Sequence, residues 1–164
     1  MCSSDLSVKA SWVAKENLHL TLKFLGETKL KQAEKIKEKI KGCLQNETSL
    51  KCMLNKIGAL PKEKLARVIW AGVENEDNQI AELAKKIENS VFELGFKKEK
   101  RDFKNHVTIC RPRRILNPDQ FSLLIEKINK DFKPYEFIID KLTFFESRLT
   151  PQGSIYTPLL SCPL

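Results

Sequence analysis

The chain has only two histidines, and both stand in the same four-residue frame, His19-Leu-Thr21-Leu22 and His106-Val-Thr108-Ile109. Only seven threonines occur in 164 residues, so a threonine two places after each histidine is a rare coincidence. On a strand, positions i and i+2 share a face about 6.6 Å apart. Each frame therefore offers an imidazole and a hydroxyl side by side, with apolar neighbours on the opposite face. Such polar pairs on an apolar strand cost stability unless they meet water or a ligand. A single histidine of this kind is usually a surface or hydrogen-bonded structural residue. Two copies with threonine in step reverse that balance.

The surroundings of the two frames also resemble one another. Leu18, Leu20, Leu22 and Phe24 alternate with polar residues, which predicts a strand over 18–24 closed by Gly26. Thr28 is placed to cap a helix with apolar positions Leu30, Ala33, Ile36, Ile40 and Leu44. Strands follow at about 48–57 and 66–73, with Pro61 between them. A second helix carries Ile80, Leu83, Ala84, Ile87, Val91 and Leu94 on one stripe and ends at Gly95. A strand at His106 to about Arg111 precedes a third helix, with Asn117 and Pro118 suited to its cap and first position. Strands at about 135–147 and 154–160 close the chain, joined by Thr150-Pro-Gln-Gly153. The order is β-α-β-β, a helix, then β-α-β-β again, which predicts two similar lobes with related sites facing one another and no linker between them.

Composition narrows the function classes. The chain is 41% hydrophobic and 30% charged, as an ordinary globular protein is. No apolar run is long enough for a membrane span, and no secretory leader is recognisable. The net charge of +8 admits a polyanionic partner without naming one. Five cysteines, an odd number without a Cys-x-x-Cys pair, suggest neither a disulfide framework nor a zinc site. They read as small apolar residues of a reduced, cytoplasmic chain. The hexapeptide Met1–Leu6 carries no periodic pattern and reads as adapter-derived or frayed sequence, so the folded domain is expected over 7–164.

Two histidines are too few for a three-ligand zinc site without a carboxylate. No serine has nucleophile-elbow spacing, and no glycine-rich phosphate loop is present. Cys110, beside the second frame, fits an apolar strand better than it fits a nucleophile. Two imidazoles flanking one phosphorus atom, in contrast, make a complete acid–base pair. One takes a proton from attacking water while the other protonates the leaving oxygen. Imidazole titrates near pH 6.5, so one ring of a pair can be neutral and the other charged near neutrality. Threonine hydroxyls and an arginine would hold the non-bridging oxygens.

These frames resemble the 2H phosphoesterase superfamily, and within it the RNA 2′,3′-cyclic phosphodiesterases, also called 2′-5′ RNA ligases. The likeness extends to Glu16–Glu27, Trp70-Ala-Gly-Val73, Leu94-Gly-Phe96, Phe103–Arg111, Glu146–Pro151 and Tyr156-Thr157, in that order. It implies an α+β fold: one bilobal domain in which two pseudo-symmetric lobes of antiparallel sheet line a central cleft, with helices outside. It also implies hydrolysis of RNA 2′,3′-cyclic ends to 2′-phosphomonoesters, without metal or cofactor. His19 is the implied proton donor and His106 the acceptor, with Thr21, Thr108 and Arg111 on the phosphate. Strict alternation from His106 puts Arg111 on the wrong face, so its reach requires a bend at the strand end.

The implied partner is RNA bearing such ends, bound by a monomer. Lys97, Lys98, Lys100, Arg101 and Lys104, and the cluster Arg111, Arg113 and Arg114, are candidates to guide it. One departure stands out: family members place a strand and a helix before the first frame, and few residues precede Trp12 here. The residues leave other readings open. These are a basic RNA-end-binding protein with little turnover, or a 2H enzyme acting on small cyclic nucleotides or 2′-5′ linkages.

Overall fold

The computed structural model describes residues 8–151 and 153–164; the reading of Met1–Leu6 lies outside them. The fold is α+β. Strands β1 (Val8–Trp12), β2 (Leu50–Leu60), β3 (Val68–Asn75), β4 (His106–Ile115) and β5 (Tyr135–Ile139) form a five-stranded sheet in the order β1-β4-β3-β2-β5. Strands β6 (Lys141–Thr150) and β7 (Gly153–Pro163) form a separate antiparallel pair. The helices are α1 (Leu30–Leu44), α2 (Gln79–Phe92) and α3 (Pro118–Asp131).

The three helices fall where the 3.6-residue periodicity places them, but one cap differs. Lys29, not Thr28, is the N-cap of α1, and the Gln32 side chain accepts its backbone N–H at 3.3 Å. The Thr28 hydroxyl turns back to the Gly26 carbonyl instead, at 3.2 Å. At α3 the expected cap is present: Asn117 Oδ1 accepts from the Gln120 N–H at 3.0 Å, with Pro118 in the first turn. Helix α2 ends just before Gly95, whose φ of +91° only glycine adopts without strain. The Phe96 N–H then bonds back to the Val91 carbonyl at 3.3 Å.

Two strand expectations are corrected. Residues 18–24 do not form a strand: only Leu20 makes a bridge, to Val107, and Leu18 and Phe24 are exposed. Alternation reports two faces but does not supply a partner, and only Leu20 finds one. The single strand expected over 135–147 is two, β5 in one sheet and β6 in the other. In addition, β1 begins at Val8 and pairs with β4, so residues ahead of Trp12 contribute to the sheet.

The chain divides into two compact units, each assembled from separated segments: Met1–Thr21, Met53–Glu74 and Asn105–Glu136 in one, and Leu22–Cys52, Asn75–Lys104 and Phe137–Leu164 in the other. They are not the two consecutive β-α-β-β blocks, because strand pairing is long-range and does not follow chain order.

In the first unit, α3 packs Phe121 and Ile125 onto one face of the sheet, against Ala66, Ile69 and Cys110. Asn129 extends that grip, accepting the Ile57 N–H at 2.7 Å and donating to the Ile57 carbonyl at 2.8 Å. In the second unit, Ile36, Ile40, Leu83, Ile87 and Val91 join α1 to α2, and Leu142, Phe144 and Leu160 of the β6–β7 hairpin close over them.

Lys23 ties the loop after α2 to that helix. Its side chain, 5% exposed, donates to Glu88 Oε1 at 2.6 Å and to the Lys97 carbonyl at 2.8 Å. This bond, and then the Glu99 N–H at 2.7 Å, hold the Glu88 carboxyl below its ordinary 4.5. A carboxyl whose folded pKa is depressed contributes stability above its unfolded value and loses it as pH falls through the folded value. Glu88→Gln is therefore expected to flatten the acid limb of the pH–stability curve below pH 4.5. Urea melts of parent and variant at successive acid pH values check this, and superimposable acid limbs would count against it.

Candidate active site

His19 and Thr21 of the first frame and the whole of the second lie in the first unit, while Leu22 belongs to the other. The two frames come together through the chain that leaves β1. The Val13 N–H bonds the Ile109 carbonyl at 2.9 Å, a short 3₁₀ turn covers Lys15–Asn17, and Leu20 then bridges Val107 antiparallel. The antiparallel bridge joins the residue that follows each histidine, so the two frames run side by side at that point. His19, Thr21, His106 and Thr108 are all half-buried.

The His19 ring is oriented by its own turn, with Nδ1 2.7 Å from the Asn17 carbonyl oxygen. A carbonyl only accepts, so Nδ1 carries the hydrogen.

On the other side, β4 pairs with β3: Thr108 lies opposite Trp70, and His106 opposite Gly72. The Trp70 and His106 rings meet edge to face, centroids 6.2 Å apart with planes at 69°. Trp70 was not singled out as a site residue from sequence. The legible signal is Trp70-Ala-Gly72, which puts an indole and a bare backbone on one strand face beside His106.

Arg111 reaches the histidine face through an irregularity. The pairing steps from Ile69 with Cys110 to Trp70 with Thr108, so Ile109 is an extra residue in β4. The bulge reverses the alternation. Cys110 turns into the core beneath α3, and Arg111 returns to the face that carries His106 and Thr108, opposite Ser11 of β1. Burial raises the Cys110 thiol pKa, which disfavours the thiolate a nucleophile needs. Cys110 therefore serves as a core residue.

A concavity of about 250 Å³ beside this sheet is lined by Lys64, Arg67, Arg113 and Arg114, among others. Arg113 Nε donates to the Ser11 hydroxyl at 2.8 Å, and Lys64 pairs with Asp119 at 2.5 Å. The basic stretch Lys97–Lys104 belongs to the other unit. There Lys98 is held by Asn89 Oδ1 at 2.7 Å and by the Phe92 ring, which gives it a structural role. Among the described residues, no three His, Cys, Asp or Glu side chains gather as a metal site needs. No helix among them is long and apolar enough to cross a membrane.

The sequence comparison places a chain of this α+β fold in a phosphoesterase class. Residues 4–70 and 72–156 match the model of the LigT-like phosphoesterases, and the chain belongs to that family. It is 36% identical over 153 residues to an RNA 2′,3′-cyclic phosphodiesterase of Thermotoga maritima, covering 93% of this chain and 79% of that protein. To one from Methanocaldococcus jannaschii it is 41% identical over 144 residues, covering 88% and 79%. Among solved structures, a Thermus thermophilus protein superimposes with a TM-score of 0.77 at 24% identity, over 94% of this chain and 82% of that one. E. coli LigT complexed with 3′-AMP does so with a TM-score of 0.72 at 21% identity, over 94% and 81%. At these identities the structural likeness speaks to the fold.

Proposed function

We propose that this protein hydrolyses RNA 2′,3′-cyclic phosphodiester ends to 2′-phosphomonoesters by two-histidine acid–base catalysis, without a metal ion or other cofactor. The observation that supports the reading is the Leu20–Val107 bridge, which joins the two His-x-Thr frames. Relatives at 36% and 41% identity bear the name of that activity.

In this mechanism His106 accepts a proton from water as the water oxygen bonds to phosphorus. The P–O3′ bond breaks, and His19 delivers its Nε2 proton to O3′, leaving the phosphate on O2′. The Asn17 carbonyl fixes the His19 ring through either protonation state, because Nδ1 keeps its hydrogen in both. Thr21, Thr108 and Arg111 hold the non-bridging oxygens and offset the charge that builds there. The domain acts as a cytoplasmic monomer over residues 7–164.

The direct test is incubation with an RNA carrying a 2′,3′-cyclic end, followed by identification of the hydroxyl that keeps the phosphate. A 2′-phosphate formed at an undiminished rate in EDTA is the expected result. A 3′-phosphate, no turnover, or activity abolished by EDTA and restored by a divalent ion would overturn the mechanism.

RNA rather than a small cyclic nucleotide is favoured by the arginine-lined concavity on the same unit. Arg113→Ala with Arg114→Ala is expected to raise KM for a cyclic-ended oligonucleotide roughly 3–10-fold and to lower its salt slope by about 1 per charge removed. KM for a cyclic mononucleotide should not change. Kinetics on both substrates across a salt series check this, and equal effects on the two would exclude the concavity as an RNA path.

A further inference from the structure

We infer that Trp70 is a positioning residue for His106, and that Gly58 exists to seat it; the catalytic part of this inference rests on the function proposed above. The indole stands on β3 directly across from Thr108 and meets the His106 ring edge to face at 6.2 Å, a favourable geometry for an aromatic pair. Its own position is set from the far side. A Cβ on Gly58 of β2 would fall 2.2 Å from Trp70 Cζ2 and 2.6 Å from Cε2 and Cη2, so the ring lies directly against that backbone. A Cβ on Gly72 would come 3.3 Å from Cζ3, so a second bare position adjoins the ring. The indole is thus wedged across β2 and β3 with the His106 ring set at a steep angle beside it.

Packing alone does not account for a tryptophan here. Its Nε1 is buried with no hydrogen-bond partner among the described residues. An unpaired buried donor is a cost that leucine or phenylalanine in the same space would avoid. Departures from the local rules of stability concentrate at functional sites, and this one lies against one of the two histidines. A rigid aromatic wall restricts the rotamers open to the His106 imidazole, and loss of such alignment is expected to slow proton transfer more than binding.

The chain has two histidines, so its imidazole Cε1 proton spectrum has two lines, which His106→Gln assigns by removing one. Trp70→Leu, Trp70→Phe and Gly58→Ala are compared with the parent. In Trp70→Leu the His106 line is expected to move while the His19 line stays. The kcat per folded molecule should fall about 10–100-fold with KM little changed. Trp70→Phe should recover much of that loss by restoring a ring edge. Gly58→Ala should reproduce it with the tryptophan still present. If Trp70→Leu does not fold, the last two variants decide.

An unmoved His106 line, or a kcat per folded molecule equal to the parent's in Gly58→Ala and in the folded Trp70 variants, overturns the inference. The spectrum needs no substrate. A parent that fails to turn over cyclic-ended RNA would therefore sink the proposed function while leaving the placement of His106 by Trp70 separately measurable.

Discussion

His106→Ala is expected to slow turnover of an RNA 2′,3′-cyclic end by about 10²–10⁴-fold, the range a positioned general base supplies, with the thermal transition close to the parent's. His19→Ala should do the same. Both rings are half-buried, and neither belongs to a core cluster, so the loss falls on chemistry rather than on folding. In the proposed mechanism the two histidines act on one phosphorus in the same step, so their effects should not multiply. The double variant is expected to be little worse than either single one, as for catalytic groups that work as a unit. Added imidazole should restore part of the His106→Ala rate, because a small base can enter where the side chain was. Single-turnover assays with far-UV spectra measure all of this. Either variant retaining activity within a few-fold of the parent would remove the histidine pair from the mechanism.

Ile36→Ala carries the largest expected cost to stability, about 2–5 kcal/mol. Ile36 is 0% exposed and sits among Ile40, Cys43, Leu44, Leu83, Ile87 and Val91, where α1 meets α2. Removing its branched side chain leaves a cavity that packed helices fill only in part. For a chain of this size each kcal/mol is worth about 2–4 °C in Tm. Leu30→Ala, at a position 87% exposed at the start of the same helix, is expected to change stability by no more than about 0.5 kcal/mol. Urea and thermal melts of the two variants check the contrast. Equal effects would mean that the α1–α2 seam is not a packed core.

The helices were legible in the sequence because their apolar stripes are local: Ile36 with Ile40, and Ile80 with Leu83, Ala84, Ile87 and Val91, need only the helical period to be recognised. The four polar residues of the candidate site stand out in the sequence for a similar reason, since residues two apart on a strand share a face. What sequence did not carry was partnership. The alternation at 18–24 looks like a strand, yet the bridge forms only at Leu20, and the two units interleave chain segments that the duplicated element order kept apart. Arg111 shows the same limit from the other side. Its face depends on one extra residue, Ile109, opposite the step from Ile69 to Trp70, and a bulge is a property of two strands together. Trp70 escaped notice because its meaning lies in an absent side chain, at Gly58 on a neighbouring strand.

The first unit gathers residues from three stretches of chain, the last ending at Glu136. During synthesis on the ribosome, His19 emerges early and must wait for β4 and α3 before Leu20 has its partner. Cotranslational folding therefore cannot assemble the histidine pair from an N-terminal fragment. Such far-flung contacts also slow folding relative to a protein built from neighbouring segments. A nascent chain arrested before His106 would hold the first His-x-Thr frame without the strand that bridges it.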